Sequence, residues 1–416
     1  MSAASTTGPS GLPARPSLGW QVLALALLLG LQPVGTDLYL PALPALRADL
    51  GAAMSATQLT LSGLMLAFGL GQLLLGPVSD RLGRRPVLLA GLSLYALGGV
   101  GGALAADIGW LVACRALQGL GLAAAVVGAR AMLRDWFEPH EGARVMARAL
   151  GGLGLLAMLS PPLGGLLAAT LGWRWALLAI ALVGAAALAV VALRIPESLA
   201  RREPQALQPR RLLANWTQVA AHPGFRAYTL LTTLAYGTLY TFLAASAFVF
   251  IEVLGLGRGS YGLVVGAGAG VYVLGTLICR RWLARLSLAA TARRGALFTA
   301  TGALGMGLAA WVLPPSVPAL LLPHVFIMLG HGVLQPCSQA GAVGPFPQLA
   351  GTAAALSGFA SAVCAFLLGG WLSLSLDGTV RPMAATMAVL GAGAALCAWT
   401  LVQSQARLPA AAGARP

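Results

Sequence analysis

The chain has 416 residues, 58% of them hydrophobic and 9% charged, with a mean hydropathy of +0.83. Soluble globular chains carry roughly 25% charged residues, so this composition excludes a water-facing protein of this size and points to an integral membrane protein. The net charge of +15 does not mark a nucleic-acid partner, because the positive residues, all arginine, fall in short gaps between apolar runs.

Residues 1–17 are rich in Ser, Pro and Gly and read as a disordered tail. Twelve apolar spans follow, at about 18–45, 55–78, 86–106, 109–133, 142–169, 173–194, 226–254, 260–279, 294–313, 317–342, 350–374 and 382–403. The first is too long for a signal peptide and is read as an uncleaved helix. The widest polar gap, 195–225, separates six spans at 18–194 from six at 226–403, with a C-terminal tail at 404–416. The expected fold is all-α, twelve transmembrane helices in two six-helix bundles joined by a cytoplasmic linker. With the N-terminus inside, the inner side holds Arg15, Arg81, Arg84, Arg85, Arg134, Arg144, Arg148, the cluster between 194 and 226, Arg280, Arg281, Arg285, Arg293, Arg294, Arg407 and Arg415. The outer side holds Arg47, Arg174, Arg258 and Arg381. That asymmetry places both termini in the cytoplasm.

Asp37 is the one acid in the otherwise apolar stretch 20–46. At about 1.5 Å per residue it lies roughly two-thirds of the way across the first span, counted from inside. An ionised carboxylate there costs several kcal/mol unless it meets water or a cation. Two placements are open: a carboxyl inside the membrane that takes a proton from one side and releases it to the other, or a solvated group at the outer interface, where Pro41 and Pro44 end the helix early. Arg115 enters the fourth span a turn or two from its start, in Arg115-Ala116-Leu117-Gln118-Gly119-Leu120-Gly121. It needs a carboxylate or a water-filled cleft, unless it snorkels from the helix end. Gly119 and Gly121 permit close helix approach around it. The fifth span carries Ser160-Pro161-Pro162-Leu163-Gly164-Gly165, in which proline kinks the helix and the glycines admit a neighbour.

Between the second and third spans runs Gly76-Pro77-Val78-Ser79-Asp80-Arg81-Leu82-Gly83-Arg84-Arg85. Its spacing, G-x-x-x-D-R-x-G-R-R, resembles the loop between helices 2 and 3 of the major facilitator superfamily of secondary transporters. The R-x-x-Q-G-x-G run resembles that family's fourth-helix motif, whose arginine is linked to proton transfer. The fifth-span run resembles the antiporter motif G-P-x-x-G-G, with Ser160 in place of the glycine before the proline and the two upstream glycines falling on Leu156 and Ala147. Thr36-Asp37-Leu38-Tyr39-Leu40-Pro41-Ala42-Leu43-Pro44, with Gly128-Ala129-Arg130-Ala131 and Arg134-Asp135, is similar to the bicyclomycin/chloramphenicol-resistance (Bcr/CflA) branch of the drug:proton antiporters. Phe248–Glu252, Gly330 to Gln335-Pro336, Pro345-Phe346 and Gly351-Thr352-Ala353 extend the likeness to about residue 403.

The resemblance implies proton-driven efflux of amphipathic antibiotics across a bacterial inner membrane, with no cofactor beyond the proton gradient and a monomer as the working unit. Asp37 and Arg115 are then the proton-coupling pair. Gly76, Asp80, Arg81, Gly83, Arg84 and Arg85, with Pro161, Gly164 and Gly165, are conformational, and the implied partner of Asp80 is the N-terminus of the eleventh helix, near Gly351. Tyr39, Gln118, Tyr236, Tyr240, Phe242 and Gln335 are the candidate cavity contacts, with packing between helices as the alternative for each aromatic. Glu252 reads as interfacial. His324 and His331 lie seven apart on one face without a visible third metal ligand, so no metal is expected, and the five cysteines lack C-x-x-C spacing. Symport of a nutrient, or export of one metabolite, is the second reading, kept open by the incomplete fifth-span motif. A membrane-embedded enzyme is the third, and no G-x-S-x-G, H-E-x-x-H or Walker loop supports it.

Overall fold

The computed structural model describes residues 16–407, so the tail expectations at 1–15 and 408–416 lie outside the described residues. The described chain is helical: α1 Leu18–Asp37, α2 Leu43–Asp49, α3 Met54–Leu82, α4 Arg84–Ala103, α5 Ile108–Trp136, α6 Pro139–Thr170, α7 Trp173–Arg194, α8 Pro209–Ala221, α9 Pro223–Ala247, α10 Arg258–Leu283, α11 Leu288–Trp311, α12 Val317–Val343, α13 Ala350–Ser375, α14 Arg381–Trp399 and α15 Leu401–Arg407. Backbone groups inside a bilayer must be satisfied within the chain, and long helices do this locally. Starts are fixed by side-chain caps: Asp107 accepts from the Trp110 N–H at 2.9 Å, and Ser287 and Ser316 cap α11 and α12 in the same way.

Eleven spans among the described residues are long and apolar enough to cross a membrane. The expected span at 294–313 falls in α11, whose 24 residues cover about 36 Å. Its Thr and Gly content and the pair Arg293-Arg294 make it less apolar than the others. The first span is not one helix. α1 ends at Asp37, a short 3-10 turn covers Leu40–Ala42, and α2 follows. Pro41 and Pro44 cannot donate to a continuing ladder, so the break falls just before them. The fifth span, α6, runs through Pro161 and Pro162 without leaving helical geometry. The gap at 195–225, read as a polar linker, contains α8, whose Val219 is buried against Phe225 and the Cys397 region.

The chain divides into two packing units. One runs to Leu213 and takes in Arg258–Gly266; the other comprises Ala214–Gly257 and the chain from Ala267 onward. In the first, α5 packs against α3 and α4, and α1 lies along α6. Small residues make these contacts close: a side chain on Gly119 would meet the Leu64 carbonyl, and one on Gly121 the Gly91 carbonyl. In the second, α9 is held by α12, α13 and α14, while α11 packs on α12 and α14. Large aliphatic side chains such as Leu104, Leu182, Leu193 and Leu374 face outward, as a lipid-facing surface requires.

Candidate functional site

The polar centre of the first unit is built around Arg115. Its side chain is wholly buried, and its guanidinium reaches three elements at once. Nη2 donates to the Gly35 carbonyl on α1 at 2.7 Å, Nε to the Thr60 carbonyl on α3 at 3.2 Å, and Nη1 to Gln118 Oε1 on α5 at 2.9 Å. The guanidinium carbon also lies 4.3 Å from the centroid of the Tyr39 ring. Among the described residues no carboxylate lies within salt-bridge distance of it. The expected carboxylate or water-filled cleft is replaced by neutral carbonyls, an amide and a ring, and snorkelling is excluded by the depth of burial. Tyr39 and Gln118, expected along a cavity, instead spend their polar groups on this nest. Tyr39 Oη bonds Thr60 Oγ1 at 2.9 Å, and Gln118 Nε2 donates to the Tyr95 carbonyl at 3.4 Å. Tyr95 Oη in turn donates to the Leu31 carbonyl at 2.9 Å. Five side chains thus tie α1, α3, α4 and α5 together around one permanent charge.

Asp37 stands at the last position of α1, two residues beyond the Gly35 carbonyl that Arg115 holds. It is half-buried, which places it between the two expected settings. Thr36 Oγ1 lies 2.6 Å from Asp37 Oδ1 and 3.0 Å from the Gln32 carbonyl. One hydroxyl hydrogen faces two acceptors. With Asp37 ionised the hydroxyl donates to Oδ1. With Asp37 protonated the carboxyl donates to Oγ1, and the hydroxyl hydrogen turns to Gln32. The position is therefore hydrogen-bonded in either protonation state. Gly164, in the Ser160–Gly165 run of α6, lies directly on the break after Asp37, where any side chain would strike the Leu38 carbonyl. Gly165 meets the Arg258 backbone similarly, and Ser160 Oγ returns its hydrogen to the Leu156 carbonyl at 2.6 Å.

At the other end of α3 and α4 the expected conformational loop forms an ionic cluster. Arg84, 6% exposed, bridges Asp80 at 2.6 Å and Asp135 at 3.2 Å, and donates to Ser79 Oγ at 2.7 Å. Ser198 Oγ adds a bond to Asp135 at 2.9 Å. The Glu197 carboxylate receives the backbone N–H groups of Arg84 (3.0 Å) and Arg85 (3.2 Å), capping α4. Arg85 anchors to the Ile195 and Ala192 carbonyls, while Arg81 is exposed. Gly83 joins the helices at φ 110°, a conformation nearly closed to other residues, and a Cβ there would lie 2.5 Å from Glu197 Oε2. Gly76 has no such constraint: the nearest atom to a Cβ is Val127 Cγ1 at 3.9 Å, so close packing is not what this glycine provides here.

In the second unit, Tyr236 and Tyr240 lie with ring centroids 6.3 Å apart on α9. Phe242 is buried and stacks on His324 of α12 at 3.7 Å between centroids, so it packs within the bundle. Gln335 is half-buried. Among the described residues no group of three metal-ligating side chains occurs, and the five cysteines are free.

The sequence model of the Major Facilitator Superfamily matches residues 25–369, most of the chain. The chain belongs to the Major Facilitator Superfamily. It is a transporter rather than an enzyme, and its likeness to the drug:proton antiporter branch is matched by its relatives. It is 30% identical to Multidrug resistance protein D of Escherichia coli (strain K12), over 81% of this chain and 84% of that protein. It is 31% identical to the Chloramphenicol resistance protein of Pseudomonas aeruginosa, over 82% and 81% respectively. The fold is that of the D-xylose-proton symporter (TM-score 0.70, 17% identity, covering 91% of this chain and 97% of that one). It is equally that of a bacterial homologue of the human lysosomal transporter Spinster (TM-score 0.72, 16% identity, 94% and 98%).

Within this facilitator chain, sequence reasoning located Asp37, Arg115 and the charged loop but missed their partners. Gly35 and Thr60 act through backbone carbonyls, which no residue type announces. Tyr95 read as one more apolar-span residue. Asp135, after the fourth span, and Glu197, in the linker, lie 51 and 113 positions from Arg84, and nothing in their spacing ties them to it or to the start of α4.

Proposed function

We propose that this transporter exports small amphipathic compounds across a bacterial inner membrane in exchange for protons, with both termini in the cytoplasm and the proton gradient as its only energy source. The observation that carries the reading is the junction at Asp37: one carboxyl with a two-way hydroxyl partner, set between the carbonyl that Arg115 grips and the carbonyl on which Gly164 packs. The names of its relatives support the drug-efflux part. In this reading Asp37 carries the proton. Arg115 holds the end of α1 in place and sets a fixed positive potential beside it. Proton and compound compete, and each favours a different state of the two bundles. Asp80, Arg84 and the Glu197 cap bias which state is adopted on the cytoplasmic side.

The test is flux in inverted membrane vesicles with an acid interior, comparing wild type with Asp37→Asn. Chloramphenicol-like and cationic compounds dissipate the gradient in wild type and fail to do so in the variant. If none couples, and a sugar or organic acid moves with protons instead, symport replaces efflux.

A further inference from the structure

We propose that the face of α12 bearing His324, His331 and Gln335 binds the uncharged, hydrogen-bond-donating part of the transported compound, an inference that rests on the transport reading above. These positions are spaced i, i+7 and i+11, so they share one side of the helix. His324 and His331 are 4% and 5% exposed. Each has a buried Nδ1 without a hydrogen-bond partner, and Gln335 Oε1 is in the same condition. Buried polar atoms in proteins are rarely left so, and three on one helix face call for a complementary group from outside the bundle.

The chemistry of that group follows from the neighbours. A neutral imidazole always presents one ring nitrogen as an acceptor and the other as a donor. Gln335 Oε1 is an acceptor as well. Phe242 stacks on His324, and the Tyr272 ring lies 5.5 Å from that of His331, so apolar ring surface borders the acceptors. The helices that supply these groups, α9, α10 and α12, contain no Asp or Glu. A cation would find no countercharge on them. A neutral molecule with hydroxyl or amide hydrogens and an aromatic ring matches both features.

Purified full-length protein is titrated with chloramphenicol, a neutral amide diol, and with tetraphenylphosphonium, a cation without donors. His331→Gln carries its amide one bond further out, away from the Nδ1 position; His331→Asn keeps an acceptor near the Nδ1 position; His324→Phe keeps the stack. The expected result is a rise of about tenfold in the chloramphenicol Kd for His331→Gln and His324→Phe. His331→Asn stays within about threefold of wild type, and tetraphenylphosphonium binding is unmoved throughout. Unchanged chloramphenicol affinity in both weakened variants overturns this inference and leaves the transport reading standing. So does an equal loss for both probes accompanied by a lowered Tm, which marks a structural role only. If wild type binds neither probe, the drug reading falls and this inference with it.

Discussion

Replacing Arg115 with lysine keeps the charge and removes the fork. The guanidinium bonds carbonyls on α1 and α3 and an amide on α5, at 2.7, 3.2 and 2.9 Å, from three different nitrogens. One ammonium nitrogen cannot occupy three sites spread over a planar group, so two of the bonds are lost. Bonds to a charged donor contribute about 1.5–3 kcal/mol each, and the Tyr39 contact adds about 1–2 kcal/mol for a desolvated pair. Local relaxation recovers part of this, because neighbouring groups adjust together. The net destabilisation expected is about 2–4 kcal/mol. Thermal unfolding of the detergent-solubilised protein reads it as a clear fall in Tm, and drug-resistance assays at matched expression read it as lost transport. Arg115→Lys with wild-type Tm and transport would refute the reasoning, since charge alone would then suffice.

Gly83→Ala forces a side chain into φ 110° and against Glu197. It lowers stability by about 1–3 kcal/mol, measured by Tm, and Glu197→Ala in the same background recovers only the steric part. Arg84→Ala removes the shared cation from Asp80 and Asp135, both of which keep access to water, and costs about 1–3 kcal/mol, whereas Asp135→Asn, which leaves Arg84 paired with Asp80, costs less. The ordering of these two melting temperatures is the check. Gly164→Leu drives a side chain into the Leu38 carbonyl and abolishes export while membrane insertion, followed by immunoblot of membrane fractions, persists; Gly151→Leu, at a position with open space, is expected to be silent.

The sequence by itself determined the class, the helices and the charged anchors. Lipid imposes long apolar helices and leaves most arginines to the gaps, so composition and order suffice to read them. Asp37 and Arg115 stood out for the same reason: a charge inside an apolar span has no ordinary explanation. Tertiary structure decided how those charges are satisfied. Asp37 sits at a helix end rather than within a helix, because α1 stops ahead of Pro41, which lies inside the turn at Leu40–Ala42. Arg115 takes carbonyls and a ring in place of an acid, because packing brought Gly35 and Thr60 to it from elements 80 and 55 residues away in sequence. Glu197 became the cap of α4 across more than a hundred positions. Contacts of this kind depend on which backbone atoms meet across helices, and residue type and spacing do not encode that directly.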